Sequence, residues 1–233
     1  MKLLAIDTST EACSVALSVD GEIAERYEIA PRRHTELVLP WADALLAEAG
    51  LAKTQLDAIA VARGPGAFTG VRLAVAIAQG MALALDLPVI PVSTLAALAL
   101  RAPVDVSGSR ILSAIDARMG EVYLGAFERD EAALIRALGN EWMAAPAAPN
   151  VPVEARWIGV GTGFAAGEGA LQQVLGASLT HCDEEALPHA ADVARLALLA
   201  WTRGEAIAPD ALEPAYLRNK VALTLAEQQK ARG

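Results

Sequence analysis

The tripeptide Ala5-Ile6-Asp7 recurs as Ala114-Ile115-Asp116, each time closing an apolar stretch, and this repeat limits the possible folds more than any other feature. The first copy runs from Lys2 to Asp7, turns through Thr8-Ser9-Thr10 and returns as Cys13 to Val19. The second runs from Ile111 to Asp116, turns through Arg118-Met119-Gly120 and returns as Val122 to Phe127. Asp20-Gly21 suits a hairpin turn into a third strand, Glu22 to Ile29, and Arg129-Asp130 stands at the same place in the second half. A strand, an acidic turn and a returning strand, found twice, point to duplication.

After its hairpins the first half changes period. A helix is expected from Thr35 to Ala49, with Gly50 as its stop. A buried strand at Leu56 to Ala62 follows, then a glycine loop, an apolar helix, a strand at Val89 to Val92 and a helix after Ser93. Helices alternating with strands at this spacing imply parallel pairing with crossovers. The second half adds a strand near Trp157 and helices at Ala165 to Leu175 and Ala190 to Arg203, with an irregular stretch marked by Pro146, Pro149 and Pro152. The chain therefore reads as an α/β protein of duplicated β-β-β-α-β-α-(β)-α units. Its expected division is a lobe over 1–104, a second over 105–218 and a tail over 219–233.

At 233 residues the chain can bury a sizeable core, and 54% hydrophobic content with 4% aromatics makes that core mostly Ala, Leu and Val. A formal net charge of -9 argues against autonomous nucleic-acid binding, which relies on Lys and Arg neutralising phosphates. Asp7 and Glu11 interrupt the first nineteen residues, so no secretory signal is expected there, and Gln79, Gly80, Asp86 and Pro88 break the longest apolar segment as a membrane span. Two cysteines, Cys13 and Cys182, are too few for a disulfide framework. A cytoplasmic protein with no membrane association is the expectation.

The glycine loop, Arg63-Gly64-Pro65-Gly66-Ala67-Phe68-Thr69-Gly70-Val71-Arg72, has the form of an active-site turn yet carries no group suited to bond-making. From Leu73 to Leu85 the only polar side chain is Gln79. On a helical wheel Leu73, Ala74, Ile77, Met81, Ala84 and Leu85 form one face, the expected core side. Arg72, Val75, Gln79, Ala82, Leu83 and Asp86 form the other, which leaves Val75 and Leu83 outward in a monomer. In the helix before it, Leu37, Val38, Leu39, Trp41, Ala42, Leu45, Leu46 and Ala49 spread over about 200 degrees, twice the usual stripe. Either the rest of the chain covers these faces or two copies pair them in a four-helix interface. The candidate contact residues are His34, Trp41, Leu45, Arg72, Val75, Gln79 and Leu83.

The blocks Leu4 to Leu17, His34-Thr35 with Leu39-Pro40, Arg63 to Arg72, Ile115 to Tyr123 and Pro214 to Arg218 together resemble the TsaB (YeaZ) family, and the order of elements resembles the two-lobed actin-like ATPase (ASKHA) fold. The resemblance spans nearly the whole chain. It implies a bacterial, non-catalytic subunit needed to form N6-threonylcarbamoyladenosine at position 37 of tRNAs reading ANN codons. The implied partners are TsaD, a catalytic paralogue, and the ATPase TsaE, with tRNA met only indirectly. It also implies that the two apolar helices serve a homodimer in isolation and, alternatively, the pairing with TsaD. No cofactor is expected for this chain alone, ATP and a metal being implied for the complex through its partners.

Relatives of the TsaD type hold a metal with two histidines four apart on a helix. The corresponding stretch here reads Ser93-Thr94-Leu95-Ala96-Ala97-Leu98, and His34, His181 and His189 show no close ligand pairing, so no metal is assigned. For a nucleotide, Asp7, Thr8 and Ser9 occupy the place where actin-like kinases put an acid and a phosphate-cradling turn. Against that, Arg118 and Met119 crowd the matching turn of the second half. Gly161 and Gly163, in Gly159-Val160-Gly161-Thr162-Gly163, either line an adenosine pocket or make a plain strand-to-helix turn. No Gly-x-Ser-x-Gly elbow or paired cysteine supports nucleophilic catalysis, and no catalytic residue is assigned. The alternative function is a stand-alone ATP-dependent kinase or ATPase. Arg218, Lys220, Lys230 and Arg232 against Glu227 make the end of the chain locally basic, as a solvated tail or as a contact for tRNA or a partner.

Overall fold

The computed structural model describes residues 1–103, 110–129, 135–152 and 154–217. Strands β1 (Lys2–Asp7), β2 (Ala12–Val19) and β3 (Glu22–Ile29) form an antiparallel meander, and β4 (Ala58–Ala62) and β5 (Val89–Val92) add in parallel beyond β1. The sheet order is β3-β2-β1-β4-β5. Helix α1 (His34–Glu48) joins β3 to β4 and α2 (Phe68–Leu85) joins β4 to β5, while α3 (Thr94–Ala99) leaves β5. Gly50 follows α1 at φ +65, a left-handed position that glycine adopts without a side-chain clash. The Ser93 hydroxyl caps α3 by accepting from the Ala96 amide.

The second sheet repeats the opening with β6 (Arg110–Arg118) and β7 (Glu121–Arg129), antiparallel and joined by a tight turn. Strands β8 (Ile135–Ala137) and β9 (Trp142–Ala144) both pair with β7, and β10 (Trp157–Val160) and β11 (Leu179–Asp183) add in parallel beyond β6. Helix α4 (Ala166–Leu175) joins β10 to β11, and α5 (Ala190–Thr202) follows. The fold is the two-lobed actin-like α/β architecture. Strands β8, β9 and β11 escape the sequence pattern: two are three residues long, and Leu-Thr-His-Cys-Asp has no apolar run. The expected turn at Arg129-Asp130 lies partly outside the described residues, as does the tail from Arg218 that carries Lys220, Glu227, Lys230 and Arg232.

Both faces of each sheet are covered. Leu4, Ile6 and Val15 pack against Val38, Ala42 and Leu45 of α1 and Ala74 and Ala78 of α2. The opposite face, with Leu3, Ala5, Ala60 and Ile90, packs against Val193, Ala194 and Ala197 of α5. On the second sheet Ile111, Ile115 and Phe127 meet Leu95 and Leu98 of α3, and Leu112, Leu124 and Trp157 meet Phe164 and Leu171 in and before α4. Each half therefore sends a helix to the other half's sheet: α3 crosses to the second and α5 returns to the first. The sequence boundary at 104 falls outside the described residues.

Helix α2 corrects the wheel. Its buried residues are Gly70, Val71, Ala74, Val75, Ala78 and Ala82, so Val75, expected outward, lies in the core at 5% exposure. Small residues let the helix approach the sheet closely, and that gain in contact outweighs turning the larger side chains inward. Leu73, Ile77 and Met81 are left half-buried, and Leu83 is 65% exposed. With 18 residues and Arg72 its one charge, α2 is apolar enough by length and composition to cross a bilayer.

Candidate functional site

The turn after β1 is closed from two sides. Asp7 is 1% exposed; its Oδ1 accepts from the Ser9 amide at 2.7 Å and the Ser9 hydroxyl at 2.6 Å, while Oδ2 has no hydrogen-bond partner among the described residues. Burial pushes the carboxyl up to about 7, against the pull of those two hydrogen bonds. The glycine loop seals the other side: the Thr8 hydroxyl donates to the Gly70 carbonyl at 2.7 Å, and the Ala67 amide donates to the Ser9 carbonyl at 2.7 Å. A Cβ on Gly66 would stand 2.3 Å from the Ser9 oxygen, and one on Gly70 would stand 2.0 Å from the Thr8 oxygen. The glycines at 66 and 70 thus serve the close approach of loop to turn. Their four-residue spacing at a helix start was visible in the sequence, but the strand turn they press on was not.

Behind this turn Glu25 gathers the start of α5. It accepts from the Ser14 hydroxyl at 2.7 Å and the Ala191 amide at 2.9 Å, and its other oxygen lies 2.9 Å from Nδ1 of His189. Burial raises the Glu25 carboxyl, yet these hydrogen bonds together bring it below its ordinary value. His189 stacks on Tyr27, with ring centroids 4.0 Å apart. Nε2 of His34 lies 3.1 Å from both the Thr10 and Ala12 carbonyl oxygens and ties the start of α1 to the first hairpin. His181 stands on exposed β11. Among the described residues no group of three His, Cys, Asp or Glu side chains could hold a metal ion. Burial pushes the Cys13 thiol up to about 12 and the Cys182 thiol up to about 11, away from thiolate chemistry.

The Gly161 and Gly163 positions are filled by packing. A Cβ on Gly161 would meet the Ala114 oxygen at 2.3 Å, and one on Gly163 the Ala114 Cβ at 2.7 Å. Thr162 between them faces the space between the lobes and accepts from the Asp116 amide at 3.2 Å. That space is a cleft of about 690 Å3, whose walls include Thr10, Phe68, Arg72, Asp116, Tyr123 and Tyr216. Asp116 is held by Arg118, whose amide and guanidinium donate to its two oxygens at 2.7 and 2.8 Å. The last described segment closes one end, the Ala215 amide donating to the Arg63 carbonyl at 2.7 Å. Phe68, Tyr123, Thr162 and Tyr216 were not singled out as a group in the sequence, because only the fold brings them together.

The seven candidate contact residues have different surroundings. Leu45 and Val75 are core residues beneath α1 and α2, and Trp41 is half-buried at the edge of that core. Gln79 donates to the Pro209 and Leu212 carbonyls at 3.0 Å, tying α2 to the last segment. The Arg72 guanidinium lies over the Phe68 ring, and His34 is engaged as above. Leu83 alone of the seven stands mostly in solvent.

Over residues 26–224 the sequence matches the TsaD family, tRNA N6-adenosine threonylcarbamoyltransferase. It is 42% identical to the tRNA threonylcarbamoyladenosine biosynthesis protein TsaB of Escherichia coli, over 95% of this chain and 96% of that one. It is also 42% identical to TsaB of Haemophilus influenzae, over 95% of each chain. A solved structure of YeaZ from Pseudomonas aeruginosa superposes with a TM-score of 0.84 at 45% identity, covering 93% of this chain and 99% of that one.

Proposed function

Because the chain belongs to the TsaB (YeaZ) family of tRNA threonylcarbamoyladenosine biosynthesis proteins, we propose that it acts in that pathway as a non-catalytic partner subunit. In this role it docks on a TsaD-type paralogue, to whose family its own sequence is related, and supports the binding of a TsaE-type ATPase. The product is N6-threonylcarbamoyladenosine at position 37 of tRNA, which this chain meets only indirectly. ATP and a metal enter through the partners, the setting is cytoplasmic, and the isolated chain pairs with itself through the surface that its paralogue would take.

The observation that carries this proposal is the outer surface of α1 and α2. Leu37, Trp41, Ile77 and Met81 sit half-buried over the core, and Leu83 stands out beyond them. Apolar side chains of this size left at a helix surface gain by burial against a partner. The buried Asp7 turn supports the non-catalytic part, since its acid is shut away from solvent and its main-chain donor is spent internally.

Light scattering after size-exclusion chromatography tests docking. The wild-type chain is expected to elute as a dimer that gives way to a heteromer when the paralogue is added, and both species are expected to disappear in Ile77→Glu. A monomer indifferent to the paralogue would overturn the proposal. ATP hydrolysis by the chain alone, abolished in Asp7→Ala, would instead favour a solitary ATPase.

A further inference from the structure

The turn that holds Asp7 is tied firmly on one side and lightly on the other. Toward α5, the Ser14 hydroxyl accepts from the Ala190 amide at 2.9 Å and Glu25 accepts from the Ala191 amide at 2.9 Å, while His189 holds Glu25 and stacks on Tyr27. These contacts cap the start of a 13-residue helix from the sheet beneath it. Toward the glycine loop, the hydrogen bonds among the described residues are those from the Ala67 amide to Ser9 and from the Thr8 hydroxyl to Gly70. Ala67, Phe68 and Thr69 beside them are exposed, and Gly66 and Gly70 bring backbone rather than side chains to the contact, so little apolar surface is buried there.

Asp7 lies behind that lighter side. Ser9 joins the two: its amide and hydroxyl donate to Asp7 Oδ1, and its carbonyl accepts from Ala67 at the start of α2. Among the described residues only Ser9 donates to the buried carboxyl, so a charge placed on it is poorly solvated while the turn is closed. The neighbouring groups do not cancel that charge. Glu25 on β3 repels it, Cys13 on β2 and Tyr27 on β3 are both held above their ordinary values, and His189 at the start of α5 is already paired with Glu25. Strand β4 and the loop from Gly64 to Gly70 carry no charged residue, His34 of α1 faces the Thr10 and Ala12 carbonyls, and Arg72 of α2 lies over Phe68. An ionised Asp7 gains most by reaching solvent, and the loop side opens at the lower cost.

We propose that the Asp7 turn is a proton-operated latch on the glycine loop: it stays closed while Asp7 is neutral, and loss of that proton frees the loop and the first turn of α2. This device goes beyond the docking role and does not rest on it. Hydrogen exchange on the full chain tests it, read at the Ser9 and Ala67 amides and, for the core, at the Ile59 amide, which donates to Pro88. The closed turn holds its proton up to about 7 and a solvated carboxyl releases it near 3.8, so opening becomes about tenfold easier per pH unit between those values and is level above them. After correction for intrinsic exchange, the Ser9 and Ala67 amides are expected to lose protection about a hundredfold from pH 5 to pH 7 and little more by pH 8. Ile59 is expected to stay at least about tenfold better protected throughout, which marks the opening as local. In Asp7→Asn, shown to be folded by thermal melting, the Ser9 and Ala67 profiles are expected to be flat. A flat wild-type profile, exchange of Ser9 and Ala67 only together with Ile59, or an equal slope in folded Asp7→Asn would each overturn the proposal, and the first two are read on wild type alone.

Discussion

Asp7 is an acid at the end of a central strand that the fold keeps from ionising readily. Its carboxyl titrates near 7 in the folded chain, because burial outweighs the two hydrogen bonds from Ser9, against an ordinary value of 3.8. Between those values the folded chain holds a proton at Asp7 that the unfolded chain has lost, so the contribution of this group to stability falls as pH rises from about 4 to about 7 and is level outside that window. The loss is on the order of 4 kcal/mol. Asp7→Asn keeps an oxygen for Ser9 and removes the titration, so its thermal midpoint should decline less than that of wild type between pH 4 and 7. Parallel profiles for the two proteins would refute this origin. Gly70→Ala puts a methyl group 2.0 Å from the Thr8 oxygen and should cost about 2 to 4 kcal/mol in urea unfolding, because backbone must move to relieve it.

At the scale of elements, α2 shows which decisions the sequence contains. Its existence, its length and its apolar character follow from Leu73 to Leu85, but its orientation does not. Val71, Ala74, Val75, Ala78 and Ala82 face inward, and nothing in the residue types alone says that close approach by small side chains wins over burial of Leu73, Ile77 and Met81. Substitutions should separate the two faces. Val75→Glu is expected to unfold the chain, since it buries an unpaired charge against β-sheet core, whereas Ile77→Glu should melt within a few degrees of wild type and lose association. Equal melting of the two variants would contradict this orientation. The strands β1, β3 and β5 match the expected ranges residue for residue: β1 is an apolar run ending at the Thr8-Ser9-Thr10 turn, β5 is a short apolar run after Pro88, and β3, which has no apolar run, is fixed by the Asp20-Gly21 turn that precedes it. Strand β11 escaped because its exposed Thr180, His181 and Asp183 leave no apolar pattern. The repeated hairpins and the acidic turn at Asp7 were legible. Its closure by Gly66 and Gly70, and the meeting of Phe68, Tyr123 and Tyr216 across the cleft, depend on contacts between residues distant in sequence.

For the whole molecule, the exchange of α3 and α5 between the lobes means that neither sheet is covered by its own half alone. The Ser93 hydroxyl adds a bond across the same divide by donating to Glu141, and burial holds that carboxyl above its ordinary value. A molecule joined in this way, with its acidic turn sealed, is better suited to present a surface than to open and close around a reacting nucleotide. Purified chain should accordingly show no ATP turnover above the rate in buffer, by a phosphate-release assay. The most direct test of the proposed role is the formation of N6-threonylcarbamoyladenosine on tRNA by the TsaD-type paralogue and TsaE-type ATPase, with and without this chain. The expected result is product only with wild-type chain, lost with Ile77→Glu although that variant is folded. Equal product without the chain, or with Ile77→Glu in its place, would contradict a docking subunit that works through the outer face of α1 and α2.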